Sequence, residues 1–323
     1  MPANLPPQYF EAEKNFRLAK SPLEKIAALE EMLAIMPKHK GTDHLRAELR
    51  TRIAKLTQSL DKKSATQRAS MTIEKVGAAQ VAIIGLPNAG KSQLVSIITN
   101  ANPTVAPYPF TTHSAIPGMM PFENIQIQLI DTPPLAEQPE WWLVNILRRA
   151  DALLLVVDLS YEPLSQMEAI LAQMGMMRIG VGKENAEGEL PLSQKKALVV
   201  GNKMDLDGSG DYYRALQNKY SEQLPLIAIS ATQGNGLEEL KLKVYQLLGI
   251  IRVYTKAPGQ KPDLTDPIIL EKGSSLGEAA ASIHKDFTAR MKYARIWGSG
   301  KHDGIMAKRD HILRDGDVIE LHM

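Results

Sequence analysis

Cysteine is absent from the 323-residue chain, which excludes disulfides, thiolate metal sites and thiol catalysis and fits a reducing compartment. Long apolar runs are missing too: ALLLVV, residues 152–157, is far too short to cross a bilayer. The opening MPANLPPQYF lacks the basic start and apolar core of a secretory leader, so the expected address is cytoplasmic, with no membrane contact. Seven histidines are present without an HExxH-like spacing, which argues against a zinc site. Net charge is low as well: 38 Lys/Arg against 36 Asp/Glu leave +2, so the whole chain is no polyanion binder by bulk electrostatics. One local excess remains, nine Lys/Arg against three Asp/Glu between Lys38 and Arg68, which reads either as a solvated helix face or as a surface for phosphates.

What is present falls into three parts. Ser21-Pro22-Leu23-Glu24 has the form of a capping box with proline at the first helical position, and Ile26, Leu29, Leu33 and Met36 follow at helical spacing. After Pro37 and the KHKGTD turn, Leu45, Leu49, Ile53, Leu56 and Leu60 mark a second helix, so residues 1–77 are expected to hold a helical hairpin. Residues 78–249 carry short apolar runs (VAIIG, IQIQLID, ALLLVVD, ALVVGNK, LIAIS) separated by helical segments, the pattern of an α/β domain with a mainly parallel sheet. Residues 175–191 break that rhythm and are expected to form a surface loop. Residues 250–323 revert to strands around one helix, near Ser275 to Asp286, a small α+β unit.

GLPNAGKS, residues 85–92, follows the strand VAIIG and precedes the helical QLVSIIT, the context a G-x4-G-K-[ST] loop needs. Glycines let successive amides turn toward phosphates and the helix start adds positive potential. The expected nucleotide contacts here are Pro87, Asn88, Ala89, Gly90, Lys91, Ser92 and Gln93, with Lys91 reaching the β- and γ-phosphates and the Ser92 hydroxyl serving Mg²⁺. This pattern fits ATP and GTP equally. NKMD, residues 202–205, argues for guanine: an Asp205 carboxylate can accept from both N1–H and the 2-amino group, while Asn202 and the Lys203 stem frame the base. SAT, Ser230, Ala231 and Thr232, follows the next strand and offers the Ala231 amide to the guanine oxygen.

With GLPNAGKS, PYPFTTH, DTPPL, NKMD and SAT in this order, the chain resembles the Obg-related GTPases, and within them the Drg (developmentally regulated GTP-binding protein) group. HKGTDHLRAELRTRIAKL is similar to the helical segment before that group's P-loop GTPase domain. YTKAPGQKPDLTDPIIL, IHKDFTARMKYARIWG and DHILRDGDVIEL resemble its C-terminal β-grasp TGS domain. The resemblance implies GTP hydrolysis, Thr112 as the switch-I contact to Mg²⁺ and the γ-phosphate with Thr111 structural, Asp131 holding Mg²⁺ through water, and Asn88 as a ligand for K⁺. It also implies a ribosome- or RNA-linked role. Leu135 stands where Ras-like enzymes carry a catalytic glutamine, as in relatives.

Pro134 departs from the family. The usual DxxG glycine gives its N–H to the γ-phosphate, and proline has none. Two consequences compete: a slow GTPase carried by Lys91, Asn88, Thr112 and the metal, or a non-hydrolysing GTP/GDP-binding adaptor for a regulatory protein. Trp141 and Trp142 are expected to pack the following helix. Lys285, Arg290, Lys292, Arg295, Lys301, Lys308 and Arg309, with Tyr293 and Trp297, read either as an RNA surface or, for the two rings, as packing.

Overall fold

In the computed structural model, which describes residues 9–10, 13–14, 16, 22–36, 45–53, 73–99, 115–135, 140–182, 191–284, 287, 291–299 and 303–322, helix α1 runs Pro22–Ile35. Residues 45–53 are helical as well. Leu29, Met32, Met36 and Leu49 are buried together, with Leu33, Leu45 and Ile53 packed against them. The Arg46 guanidinium donates to Met36 O at 2.8 Å and Leu33 O at 3.4 Å, satisfying carbonyls that the end of α1 leaves open. Residues 9, 10, 13, 14 and 16 are also helical, and Tyr9 joins this core. The sequence alone did not reveal them, because Tyr9 and Phe16 are only two apolar positions one i, i+7 step apart. Ser21, Leu56 and Leu60 lie outside the described residues.

The chain divides into units 1–72 and 73–323, so residues 73–78 belong to the second unit. The reason is local bonding: Ala78 N–H donates to Gln126 O at 2.8 Å, and the Gln128 side chain donates to Glu74 O at 3.2 Å. Gln80 Nε2 joins this set through Gln128 Oε1 at 2.8 Å, both side chains being buried.

The second unit opens with β1 (Ala79–Ile84), β2 (Ile116–Phe122), β3 (Ile125–Asp131), β4 (Ala152–Asp158), β5 (Ile179–Val181), β6 (Ser193–Asn202) and β7 (Leu226–Ala228). The strand order is β2-β3-β1-β4-β6-β5, with β7 also beside β6. Every pairing is parallel except β2 with β3. All of β1 is buried, as is β4 up to its final Asp158, as expected of strands covered on both faces. Helices α2 (Lys91–Ile98), α3 (Trp141–Arg149), α4 (Pro163–Met176), α5 (Ser209–Tyr220) and α6 (Leu237–Leu248) lie between the strands in sequence.

Two expectations are corrected. Residues 175–191 are not all loop: Gly175 and Met176 end α4, and Ile179 pairs with Ser193 in β5. A three-residue strand is too short to leave a period in the sequence. Trp141 and Trp142 open α3 themselves, with Trp142 buried and Trp141 half exposed.

The remainder forms a five-stranded sheet, β11-β10-β12-β8-β9, from β8 (Ile250–Thr255), β9 (Asp263–Glu271), β10 (Tyr293–Trp297), β11 (Ile305–Ala307) and β12 (Asp317–His322). Helix α7 (Leu276–Ile283) begins with a capping box between Ser275 and Glu278 and buries Leu276, Ala279 and Ala280 in the same core as Ile251, Ile296 and Ile319. No helix among the described residues is long and apolar enough to cross a membrane.

Candidate functional site

The loop after β1 is shaped by two glycines. A Cβ on Gly85 would stand 2.4 Å from Val156 O of the neighbouring strand, so only glycine lets the chain leave β1 there. Asn88 and Gly90 are left-handed, φ +62° and +87°, which turns the amides inward and starts α2 at Lys91 with no side chain capping its first N–H groups. Pro87, Asn88, Ser92 and Gln93 are exposed, and Ala89 is buried. Lys91 is 6% exposed and donates to Gly85 O and Leu86 O, each at 3.0 Å. An ammonium has three protons, so one remains for an anion. Burial lowers the Lys91 pKa, while Asp131 acts to raise it.

Asp131 ends β3 beside this loop. Its Oδ1 is buried without a hydrogen-bond partner. Burial raises its pKa, opposed by the Ser92 side chain and the Lys91 charge. The following DTPPL segment is fastened to β1: Thr132 Oγ1 donates to Ile83 O at 2.6 Å, and Leu135 N–H, one residue past Pro134, donates to Gly85 O at 3.4 Å. Leu135 itself is buried.

Asn202 joins three loops. Its Nδ2 donates to Ala89 O at 3.0 Å, its Oδ1 accepts the Ala231 N–H at 3.0 Å, and a Cβ at Gly90 would lie 2.3 Å from that Nδ2. The Ala231 amide, expected to face a guanine oxygen, is thus given to Asn202, and Asn202 acts as a tie between loops. Gln93 Nε2 reaches Thr232 Oγ1 at 3.3 Å, and Ser230 Oγ accepts from Gln233 N–H at 3.0 Å. Asp205 Oδ1, like Asp131 Oδ1, is buried without a partner. Lys203 is left-handed, φ +68°, and its ammonium pairs with Asp158 Oδ2 at 2.5 Å. Sequence reasoning missed Asp158; the available signal was a carboxylate closing an otherwise apolar strand at the sheet's C-terminal edge, where ligands bind in such folds.

Asn88, Lys203, Asp205 and Ala231 therefore stand on loops, Asp131 and Asn202 at the ends of β3 and β6, and Lys91 and Ser92 at the start of α2. Thr111 and Thr112 lie outside the described residues. In the C-terminal domain Lys285, Arg290 and Lys301 are likewise outside them. Tyr293 stacks on His322 at 4.4 Å, and the Lys256 ammonium sits 4.0 Å from the Trp297 ring centre. Both rings are engaged within the domain.

Comparison with known proteins finds relatives for both parts of the second unit. Residues 80–184 match a family model described as 50S ribosome-binding GTPase, and residues 251–323 match the TGS domain. An uncharacterised GTP-binding protein of Methanocaldococcus jannaschii is 28% identical over 92% of this chain and 92% of its own length. Developmentally-regulated GTP-binding protein 2 of Homo sapiens is 25% identical over 93% of this chain and 98% of its own. Among solved structures, the YchF GTPase of Schizosaccharomyces pombe is similar with a TM-score of 0.55 at 14% identity, covering 77% of this chain and 99% of that one, a likeness of fold.

Proposed function

We propose that the chain is a GTP-binding protein of the kind its Drg relatives represent, with a GTPase domain joined to a TGS domain, and that it hydrolyses GTP to GDP and phosphate as a slow, ribosome- or RNA-associated switch in the cytoplasm. The observation that carries this reading is the pair of buried, unpartnered carboxylate oxygens, Asp131 Oδ1 at the end of β3 and Asp205 Oδ1 in the loop after β6. A buried acceptor left unpaired costs about 1–3 kcal/mol, and each is of the type its ligand requires. Asp205 is an acceptor for the N1–H and 2-amino group of guanine, which adenine cannot supply. Asp131 would help to hold Mg²⁺ through water.

The donor set fits Mg²⁺: Asp131 and the Ser92 hydroxyl are hard oxygens, with Thr112 as the further oxygen donor in this reading. Mg²⁺ held there would offset phosphate charge. The chain's own part is positioning. Lys91 gives its remaining proton to phosphate, the amides of Asn88 to Ser92 line the anion, and Asn202 holds the phosphate loop against the base loop. Asn88, exposed at the tip of the loop, offers a side-chain oxygen for K⁺. Leu135 brings no general base, so the rate rests on electrostatics alone and turnover is slow.

Single-turnover GTP hydrolysis in Mg²⁺ with K⁺ or Na⁺, alongside GTP, GDP and ATP titrations, tests this reading. Expected are guanine preference, slow phosphate release and acceleration by K⁺. Preferential ATP binding overturns the guanine assignment. Guanine binding without turnover leaves a nucleotide-binding adaptor, with DTPPL fastened to β1 at Thr132 and Leu135. Salt-sensitive association with ribosomal RNA supports the switch, and a salt-insensitive protein complex supports the adaptor.

A further inference from the structure

Asp158 closes β4, directly opposite Asn202 of β6 in the sheet register. Both of its oxygens are used. Oδ2 takes the Lys203 ammonium at 2.5 Å, and Oδ1 accepts the Ser160 amide at 2.8 Å and the Ser160 hydroxyl at 2.6 Å. Its backbone is held as firmly, because Gln166 accepts from Asp158 N–H at 2.9 Å and donates to Asp158 O at 2.9 Å. Leu159 N–H then donates to Asn202 O at 2.9 Å.

An exposed lysine–carboxylate pair contributes little and pins no geometry. This one differs in three respects. The side chains are only 31% and 16% exposed. Apart from the lysine, the carboxylate is fixed by the Ser160 amide and hydroxyl, and its backbone by two bonds to Gln166. The lysine has a left-handed backbone, which a non-glycine residue holds only when its surroundings enforce it. Lys203 is also two residues before Asp205, so whatever directs the Lys203 stem also sets the surface beside the carboxylate that reads guanine.

We propose that Asp158 is a positioning residue of the guanine site: by gripping the Lys203 ammonium it lays the lysine's aliphatic stem along one face of the base, while Asp205 takes the base edge. The inference rests on the guanine reading of the site and adds to it a residue from a different strand. Asp158 touches no nucleotide atom and acts through Lys203 alone, so its effect on affinity vanishes when Lys203 has no charge to grip.

The experiment is a double-mutant cycle read by fluorescent-GDP titration of the full chain: native, Asp158→Asn, Lys203→Met and the double variant, each with its thermal unfolding curve. Asp158→Asn is expected to weaken GDP about tenfold, Lys203→Met at least as much, and the double variant no more than Lys203→Met. The ratio of GDP to IDP affinity, which reports Asp205 contact with the 2-amino group, stays unchanged in Asp158→Asn. Native affinity in Asp158→Asn, or losses that multiply in the double variant, overturns the inference and leaves the guanine reading standing. A native chain that does not bind GDP overturns that reading and this inference with it. If Asp158→Asn does not fold, Asp158→Glu, which keeps the charge on a longer stem, carries the same cycle under the same criterion.

Discussion

Arg252 grips Asp315 with two prongs, Nε to Oδ1 at 3.0 Å and Nη2 to Oδ2 at 2.7 Å. Its remaining nitrogen, Nη1, reaches Glu123 and, at 3.2 Å, Asn124 Oδ1 in the turn between β2 and β3. One guanidinium thus bolts the TGS domain to the hairpin whose far end is Asp131. Tyr245 of α6 reinforces the joint by donating to Asp315 Oδ1 at 2.8 Å, and its ring stacks on Phe122 at 4.7 Å. Arg252 is 11% exposed and Asp315 35%, whereas Glu123 is 59% exposed, so the Asp315 arm dominates and the Glu123 arm is screened. Asp315→Asn is expected to destabilise the unit by ~2 kcal/mol and Glu123→Gln by under ~0.5 kcal/mol. Urea unfolding of the two variants measures the difference, and equal effects would refute the ranking.

The same pair has a pH signature. Burial alone would raise the Asp315 pKa, but the Arg252 side chain and amide and the Tyr245 hydroxyl together hold it below the ordinary value of 3.8. A depressed carboxyl contributes stability that is fully present above its unfolded value and is lost as pH falls through the lower folded value. The stability gap between the native protein and Asp315→Asn should therefore be flat above about pH 4–5 and shrink below it. A gap that widens on acidification would contradict this assignment.

Gly90→Ala should damage nucleotide binding in two ways: φ is +87° and the new Cβ would lie 2.3 Å from Asn202 Nδ2. Gly208 provides the control, since φ is +78° there with nothing within 4 Å of a Cβ. Strain alone costs on the order of 1 kcal/mol, so Gly208→Ala is expected to lower stability modestly and spare GDP affinity. Gly90→Ala should lose GDP affinity by about tenfold or more as Asn202 is pushed from Ala89 and Ala231. GDP titration and thermal unfolding of both variants decide the matter.

Pro134→Gly restores an N–H where the γ-phosphate would be sensed. One charge-assisted hydrogen bond is worth ~1.5–3 kcal/mol, or roughly ten- to a hundredfold in GTP over GDP. The expected outcome is a rise in that ratio with little change in GDP affinity. An unchanged ratio would mean that the Leu135 tie to Gly85 O, rather than the missing amide, governs this segment.

Much of the protein was legible before its fold. GLPNAGKS between an apolar run and a helix dictates the phosphate loop, because glycine permissiveness and the helix start are local properties. The apolar runs were read as parallel strands for a similar reason: burial on both faces leaves no alternation to see. β5 was invisible, since its three residues become a strand only by pairing with Ser193 to Lys195 of β6. The helical residues near Tyr9 were hidden likewise, as their burial depends on Leu29 and Leu49.

The chemical inventory, then, was determined by the sequence alone: which residues can wrap phosphate, accept from guanine or bind a hard cation follows from residue type and short spacing. Tertiary structure decided how that inventory is held. Lys203 meets Asp158 across 45 residues, Asn202 meets Ala89 across 113, and Arg252 meets Asn124 across 128. Such contacts exist only because β4 lies between β1 and β6 and because the second sheet docks on the β2–β3 turn. Strand order is set by the packing of whole faces, a sum over many buried side chains, and no short run of residues encodes it.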